Sequence, residues 1–153
     1  MPFSIGAHPG FNLPGPIDEC FLEFEKSETL NARLLDSQKL LSAEPVPVLK
    51  SSKVLNLSKT LFDRGALICL STESKKITLG SRGNSRRVSV EFQGFPQLGI
   101  WAERNAPYVC IEPWYGYDDE ADSSYGDIMN RPGTQLLAAG KSFVCTHRII
   151  VEA

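Results

Sequence analysis

Two stretches, Lys76-Ile77-Thr78-Leu79 and Arg87-Val88-Ser89-Val90-Glu91-Phe92, alternate polar and apolar residues with a strict period of two. Between them lies Gly80-Ser81-Arg82-Gly83-Asn84-Ser85. A period of two sends successive side chains to opposite faces of an extended chain, whereas a helix would scatter the same residues around its surface. Gly, Asn and Ser accept the backbone of a tight reversal, so the pattern predicts an antiparallel hairpin with a turn at residues 80–85. Other segments read the same way. Residues 19–25 alternate Phe and Leu with acids, residues 66–70 form an apolar run of strand length, and residues 98–101 and 108–112 are short and apolar. Residues 142–151 read as one long closing strand. Pro45 and Pro47 confine the extended piece at residues 45–49 to a sheet edge or a loop, because proline cannot donate to a ladder.

Helix signals are thin. Residues 28–35 carry some helical spacing, and residues 58–63 allow one turn. Short strands at regular intervals predict an all-β chain, an antiparallel sandwich or barrel. With 153 residues, 42% of them apolar, one domain over residues 1–153 is expected. There is no internal repeat.

Sixteen Lys and Arg stand against 18 Asp and Glu, spread evenly, so no basic face invites nucleic acid or an anionic membrane. No apolar run approaches the roughly 18–20 residues that span a bilayer. The first residues show no basic region or cleavage pattern of a secretory signal. Cys20, Cys69, Cys110 and Cys145 are widely spaced and sit in or beside apolar stretches, which reads as buried thiols in a reducing cytoplasm, two disulfides being the alternative that an even number allows. With only His8 and His147 to join scattered cysteines, a zinc site is not expected, and no metal is assigned. The acidic stretch at residues 118–127 reads as a solvated loop. Arg82, Arg86 and Arg87 read as the basic tip of the hairpin.

P-loop, G-x-G-x-x-G, G-x-S-x-G and H-E-x-x-H patterns are all missing from the sequence. Two segments could carry chemistry. In Phe3-Ser4-Ile5-Gly6-Ala7-His8-Pro9-Gly10-Phe11-Asn12, an extended chain puts Ser4, Gly6 and His8 on one face, leaving small side chains beside the histidine where a ligand could approach the backbone. The alternative is a half-buried histidine with satisfied nitrogens. In the segment from Trp101 to Tyr117, Tyr108, Cys110 and Glu112 share a strand face, and Pro113 is expected to end the strand after Glu112. A carboxylate at the end of an apolar strand is costly unless hydrogen-bonded or used. Trp114, Tyr115 and Tyr117 are flat aromatic surfaces of the kind sugars stack on. The alternative is an acid paired to an arginine such as Arg104.

Residues 3–12, Leu98-Gly99-Ile100-Trp101 and Cys110-Ile111-Glu112-Pro113-Trp114-Tyr115-Gly116 together resemble the aldose 1-epimerase (galactose mutarotase-like) family, and within it the LacX-like bacterial branch. The similarity runs through essentially the whole chain, but family members are about twice as long, so the chain corresponds to their C-terminal half. The resemblance implies a β-supersandwich and interconversion of the α and β anomers of a hexose or hexose phosphate. It implies Glu112 as the base that takes the C1 hydroxyl proton and His8 as the acid that protonates the ring oxygen, with Asn12, Asp63, Trp101 and Trp114 contacting the sugar. The position of Asp63 is loosely set, because the family's acidic position can also fall on Gly65. The chemistry suits these residue types on its own terms: imidazole titrates near neutrality, and a carboxylate against an apolar wall becomes a better base. No metal or organic cofactor is required. A half-sandwich would expose strand edges, which a second copy or a partner chain would cover. The rival readings are a carbohydrate-binding remnant without catalysis or a truncated inactive family member, and, third, a purely structural interaction domain.

Overall fold

The computed structural model describes residues 1–121, 123 and 126–152. Its strands, in chain order, are β1 (Pro2–Phe3), β2 (Ile5–Gly6), β3 (Gly10–Asn12), β4 (Cys20–Ala32), β5 (Val46–Asn56), β6 (Leu67–Cys69), β7 (Lys76–Ser81), β8 (Asn84–Glu91), β9 (Gln97–Trp101), β10 (Tyr108–Tyr115), β11 (Gln135–Leu136) and β12 (Arg148–Glu152). Two single turns of 3-10 helix complete the described elements.

One antiparallel sheet runs β12-β8-β7-β4-β5. The other runs from β2 and β3, which share one side of β10, through β10 and β9 to β6. β1 and β11 form a separate short pair. The sheets face each other across a core of Leu22 and Phe24 (β4), Ile77 and Leu79 (β7), Val90 (β8), Leu98 and Ile100 (β9), and Val109 and Ile111 (β10). Full burial of such side chains contributes about 1.5–3 kcal/mol each. The inner faces therefore fix which residues point outward, and the outer face of the second sheet is left to carry polar groups.

The hairpin forms as the period-two pattern predicts, with β7 and β8 paired from Lys76↔Glu91 to Ser81↔Asn84. The reversal is tighter than residues 80–85, since the ladder closes around Arg82 and Gly83 alone. Its arginines are held locally: Arg82 donates to Asn56 Oδ1 and Arg87 to the carbonyl of Asn84. Pro47 lies in β5, an edge strand, and Pro45 directly precedes it.

Three expectations are corrected. Residues 28–32 are strand rather than helix, the continuation of β4, and Leu30, Ala32 and Leu34 are buried while Thr29 and Asn31 are exposed. Leu30 and Leu34 are four apart, a separation that fits both periods, and the intervening Ala32 decides for two. Second, the closing strand is only Arg148–Glu152. It pairs with β8 as far as Glu91, after which the chain turns at residues 92–95 and leaves residues 142–147 no partner. Phe143 instead packs edge-on against Phe3 and Tyr115. Third, Pro113 does not end its strand.

The acidic stretch is only partly described, since Asp122, Ser124 and Tyr125 lie outside the described residues. Asp119 pairs with Arg131 and Glu120 with Arg33. Cys20, Cys69, Cys110 and Cys145 are free thiols, the first three buried. No helix among the described residues is long and apolar enough to cross a membrane.

Candidate active site

Pro113 survives inside β10 because of what lies beside it. On that side Ile111 N donates to the Pro9 carbonyl and the Pro113 carbonyl accepts from Ala7 N. The missing proline N–H therefore faces the break between β2 and β3, where no ladder bond is called for. β10 continues through Trp114 and Tyr115, which pair with Gly6 and Ile5.

The break also sets the site. Trp114 pairs with Gly6 above it and Cys110 with Gly10 below it, the same register on both sides. His8 thus falls opposite Glu112. On the other side of β10, Gln97, Gly99 and Trp101 stand opposite Trp114, Glu112 and Cys110. The outer face therefore carries three rows: Gly6–Trp114–Gln97, His8–Glu112–Gly99 and Gly10–Cys110–Trp101.

The middle row holds the chemistry. His8 Nε2 lies 3.4 Å from Glu112 Oε2. The Glu112 side chain is 3% exposed and that of His8 is 63% exposed. The ion partner of the glutamate is therefore His8 rather than Arg104. Burial pushes the Glu112 carboxyl above the ordinary carboxylate range; the nearby imidazole and a hydrogen bond from Trp114 pull it back in part. Burial, with the adjacent Glu112 charge, pushes the Cys110 thiol up to about 11, so it is neutral near pH 7 and a poor nucleophile.

Part of the space left by small side chains, over Gly6, is filled by the indole of Trp114. A Cβ on Gly6 would collide with Trp114 Cδ1, and one on Gly99 would come within 2.7 Å of Cζ2 and Cη2. The Trp114 ring lies flat across both flanking strands and shields Glu112.

A cleft of about 440 Å³ opens over this row, lined by Ser4, Gly6, His8, Glu112, Trp114 and the segment Tyr115 to Asp118. That volume is in the range that holds small molecules. His8, Glu112 and Trp114 meet there. Trp101 stands beside it, its ring edge-on to His8 at 6.1 Å between centroids. Asn12 pairs with Tyr108 and lines a separate apolar hollow with Leu13 and Val151. Asp63 is exposed on the turn before β6 and does not line the cleft. Sequence reasoning missed Gln97, whose Oε1 accepts from Gly116 N and pins the cleft wall; a lone amide in an apolar strand gave no signal for it. It also missed the approach of Cys110 to His8, because nothing in the sequence sets the register between residues 3–12 and 108–115.

The whole chain superposes on a galactose mutarotase related enzyme from Lactobacillus acidophilus with a TM-score of 0.87 and 29% sequence identity. Its structural relatives are galactose mutarotase-related proteins. A galactose mutarotase-like protein from Lactobacillus casei shares the fold, with a TM-score of 0.78 over 99% of the chain at 24% identity. Protein LacX of Lactococcus lactis subsp. lactis, in plasmid and chromosomal forms, is 34% identical over 128 residues, covering 76% of this chain. No family model matches the sequence. The chain spans 41% of the length of LacX and about half of the two solved structures (53% and 52%). It is thus a LacX-like relative of aldose epimerase-like proteins, with the all-β antiparallel fold of that family.

Proposed function

We propose that the chain acts as an aldose 1-epimerase-like isomerase on a hexose or hexose phosphate, with Glu112 as base and His8 as acid. One observation carries this reading: His8 and Glu112 stand 3.4 Å apart on the wall of a cleft of small-molecule size. The two oxygens that must exchange protons, the C1 hydroxyl and the ring oxygen, are bonded to the same carbon. An acid and a base serving them must therefore stand side by side, as these do.

In the forward step, ionised Glu112 takes the hydroxyl proton and its O–H electron pair becomes the second bond of the C1 carbonyl. The C1–ring oxygen bond breaks, and that oxygen takes a proton from the His8 imidazolium. Rotation about C1–C2 turns the aldehyde over. The reverse proton transfers then close the ring on the other face. The raised carboxyl pKa favours the base step, because a more basic carboxylate competes better for a weakly acidic hydroxyl. The Trp114 ring is a surface against which the sugar can stack.

Anomer-exchange NMR on the purified chain tests this, with glucose, galactose and their 6-phosphates as substrates. Exchange faster than in buffer, lost in Glu112→Gln with the fold intact, is the expected result. Retained exchange in that variant would sink the assignment. A second reading is sugar binding without catalysis, favoured by the 63% exposure of the His8 side chain. It gives the buffer rate with every sugar and unchanged sugar affinity in Glu112→Gln.

A further inference from the structure

We propose that His8, Cys110 and Glu112 together form a site for a divalent transition metal of the zinc type, with a fourth position open to the cleft. Among the described residues they are the one group of three His, Cys, Asp or Glu side chains whose donor atoms all lie within 4.8 Å of one another. Around tetrahedral zinc, bonds of about 2.0–2.3 Å put neighbouring donors roughly 3.3–3.7 Å apart. The imidazole nitrogen and carboxylate oxygen already meet that spacing at 3.4 Å. The sulfur needs to close by about an ångström at most to match it.

The donor set is selective. One nitrogen, one sulfur and one oxygen suit zinc, cobalt or copper; magnesium and calcium prefer oxygen alone and gain nothing from a thiolate. The sheet supplies the geometry. Cys110 and Glu112 are successive outward residues of β10, both buried, so they form a fixed two-donor floor. His8, opposite Glu112, closes over it from the cleft side, where water or a ligand oxygen completes the tetrahedron. Cys110 has no part in the proton transfers proposed above, and metal binding gives the thiol beside that pair a chemical role.

Binding itself does not rest on the isomerase reading. Its consequence does, because a metal held there occupies both proton-transfer groups and stops anomer exchange.

Cobalt(II) titration of the full chain tests the site directly. A thiolate-to-cobalt charge-transfer band should grow in the near ultraviolet, saturate at one equivalent and be displaced by zinc. Cys110→Ser should abolish the band. His8→Ala and Glu112→Gln should each weaken cobalt affinity by at least the ~10–100-fold that loss of an outer-shell partner costs. Circular dichroism checks that each variant is folded. A missing band in the folded wild-type chain overturns the proposal. So does a band that survives Cys110→Ser, or affinity unchanged by His8→Ala. Cobalt binding without anomer exchange in the metal-free chain would remove the isomerase reading and leave the metal site standing; exchange without cobalt binding would do the reverse.

Discussion

Replacing Gly99 with alanine adds one methyl group on the row that holds Glu112. Its backbone is not in the left-handed region, so alanine is accommodated by the main chain. The cost comes from the ring above. The new Cβ would stand 2.7 Å from Trp114 Cζ2 and Cη2, against about 3.5–4.0 Å for an ordinary carbon contact. The shortfall is about an ångström, and the indole cannot slide away because its other end lies over Gly6. The ring must lift or the strands must part, an overpacking strain on the order of 1–3 kcal/mol. At about 2–4 °C per kcal/mol for a chain of this size, the melting temperature should fall by roughly 2–12 °C. Lifting the ring also weakens its hydrogen bond to Glu112 and moves the cleft wall, so anomer exchange should drop by about tenfold to a hundredfold. Thermal melts of a double-mutant cycle are the decisive assay. In a Trp114→Leu background the methyl group meets no ring and Gly99→Ala should be nearly neutral, a coupling of about 1–3 kcal/mol. Equal cost in both backgrounds, or no cost in either, would refute the reasoning.

Other outcomes follow from the same geometry. The raised Glu112 carboxyl has a definite sign: between its unfolded and folded pKa values the folded state binds more proton, so this group's contribution to stability falls as pH rises through that window. Glu112→Gln should therefore melt above wild type near pH 7 and lose that advantage near about pH 3, where the carboxyl is mostly protonated in both states; equal melting at both pH values contradicts it. Glu28, 2% exposed in β4, accepts hydrogen bonds from Ser74 N at 2.6 Å and Glu73 N at 3.3 Å. Glu28→Ala strands a buried N–H and should cost about 1–3 kcal/mol in chemical denaturation; an unchanged midpoint would show that water replaces the carboxylate.

The strands were legible where one face is buried and the other wet. The β7–β8 hairpin is the clearest case, because Ile77, Leu79 and Val90 are core while the alternate residues Lys76, Thr78 and Glu91 are only half-buried. Legibility failed where local signals conflict with neighbours. Leu30 and Leu34 fit two periods, and Pro113 reads as a strand end until the break beside it is known. Residues 142–147 alternate like a strand but have no partner. The individual site residues His8 and Glu112 could be picked out by type, and Cys110, Glu112 and Tyr108 could be placed on one face. Their meeting with His8 could not, since it is a matter of register between segments a hundred residues apart. The role of Gly6 and Gly99 as a bed for Trp114 was equally hidden, because a glycine records only that something comes close and not what.

The interruption between β2 and β3 divides stiffness unequally between two facing side chains. Glu112 belongs to a strand hydrogen-bonded on both flanks, so its carboxylate is carried on a rail. His8 sits in the gap, with the bonds of Ala7 N and the Pro9 carbonyl as bearings on either side of it. It can tilt without breaking a rung of the ladder. Whatever enters the cleft, sugar or ion, finds one partner fixed and the other free to adjust, and the fit is made by the histidine alone.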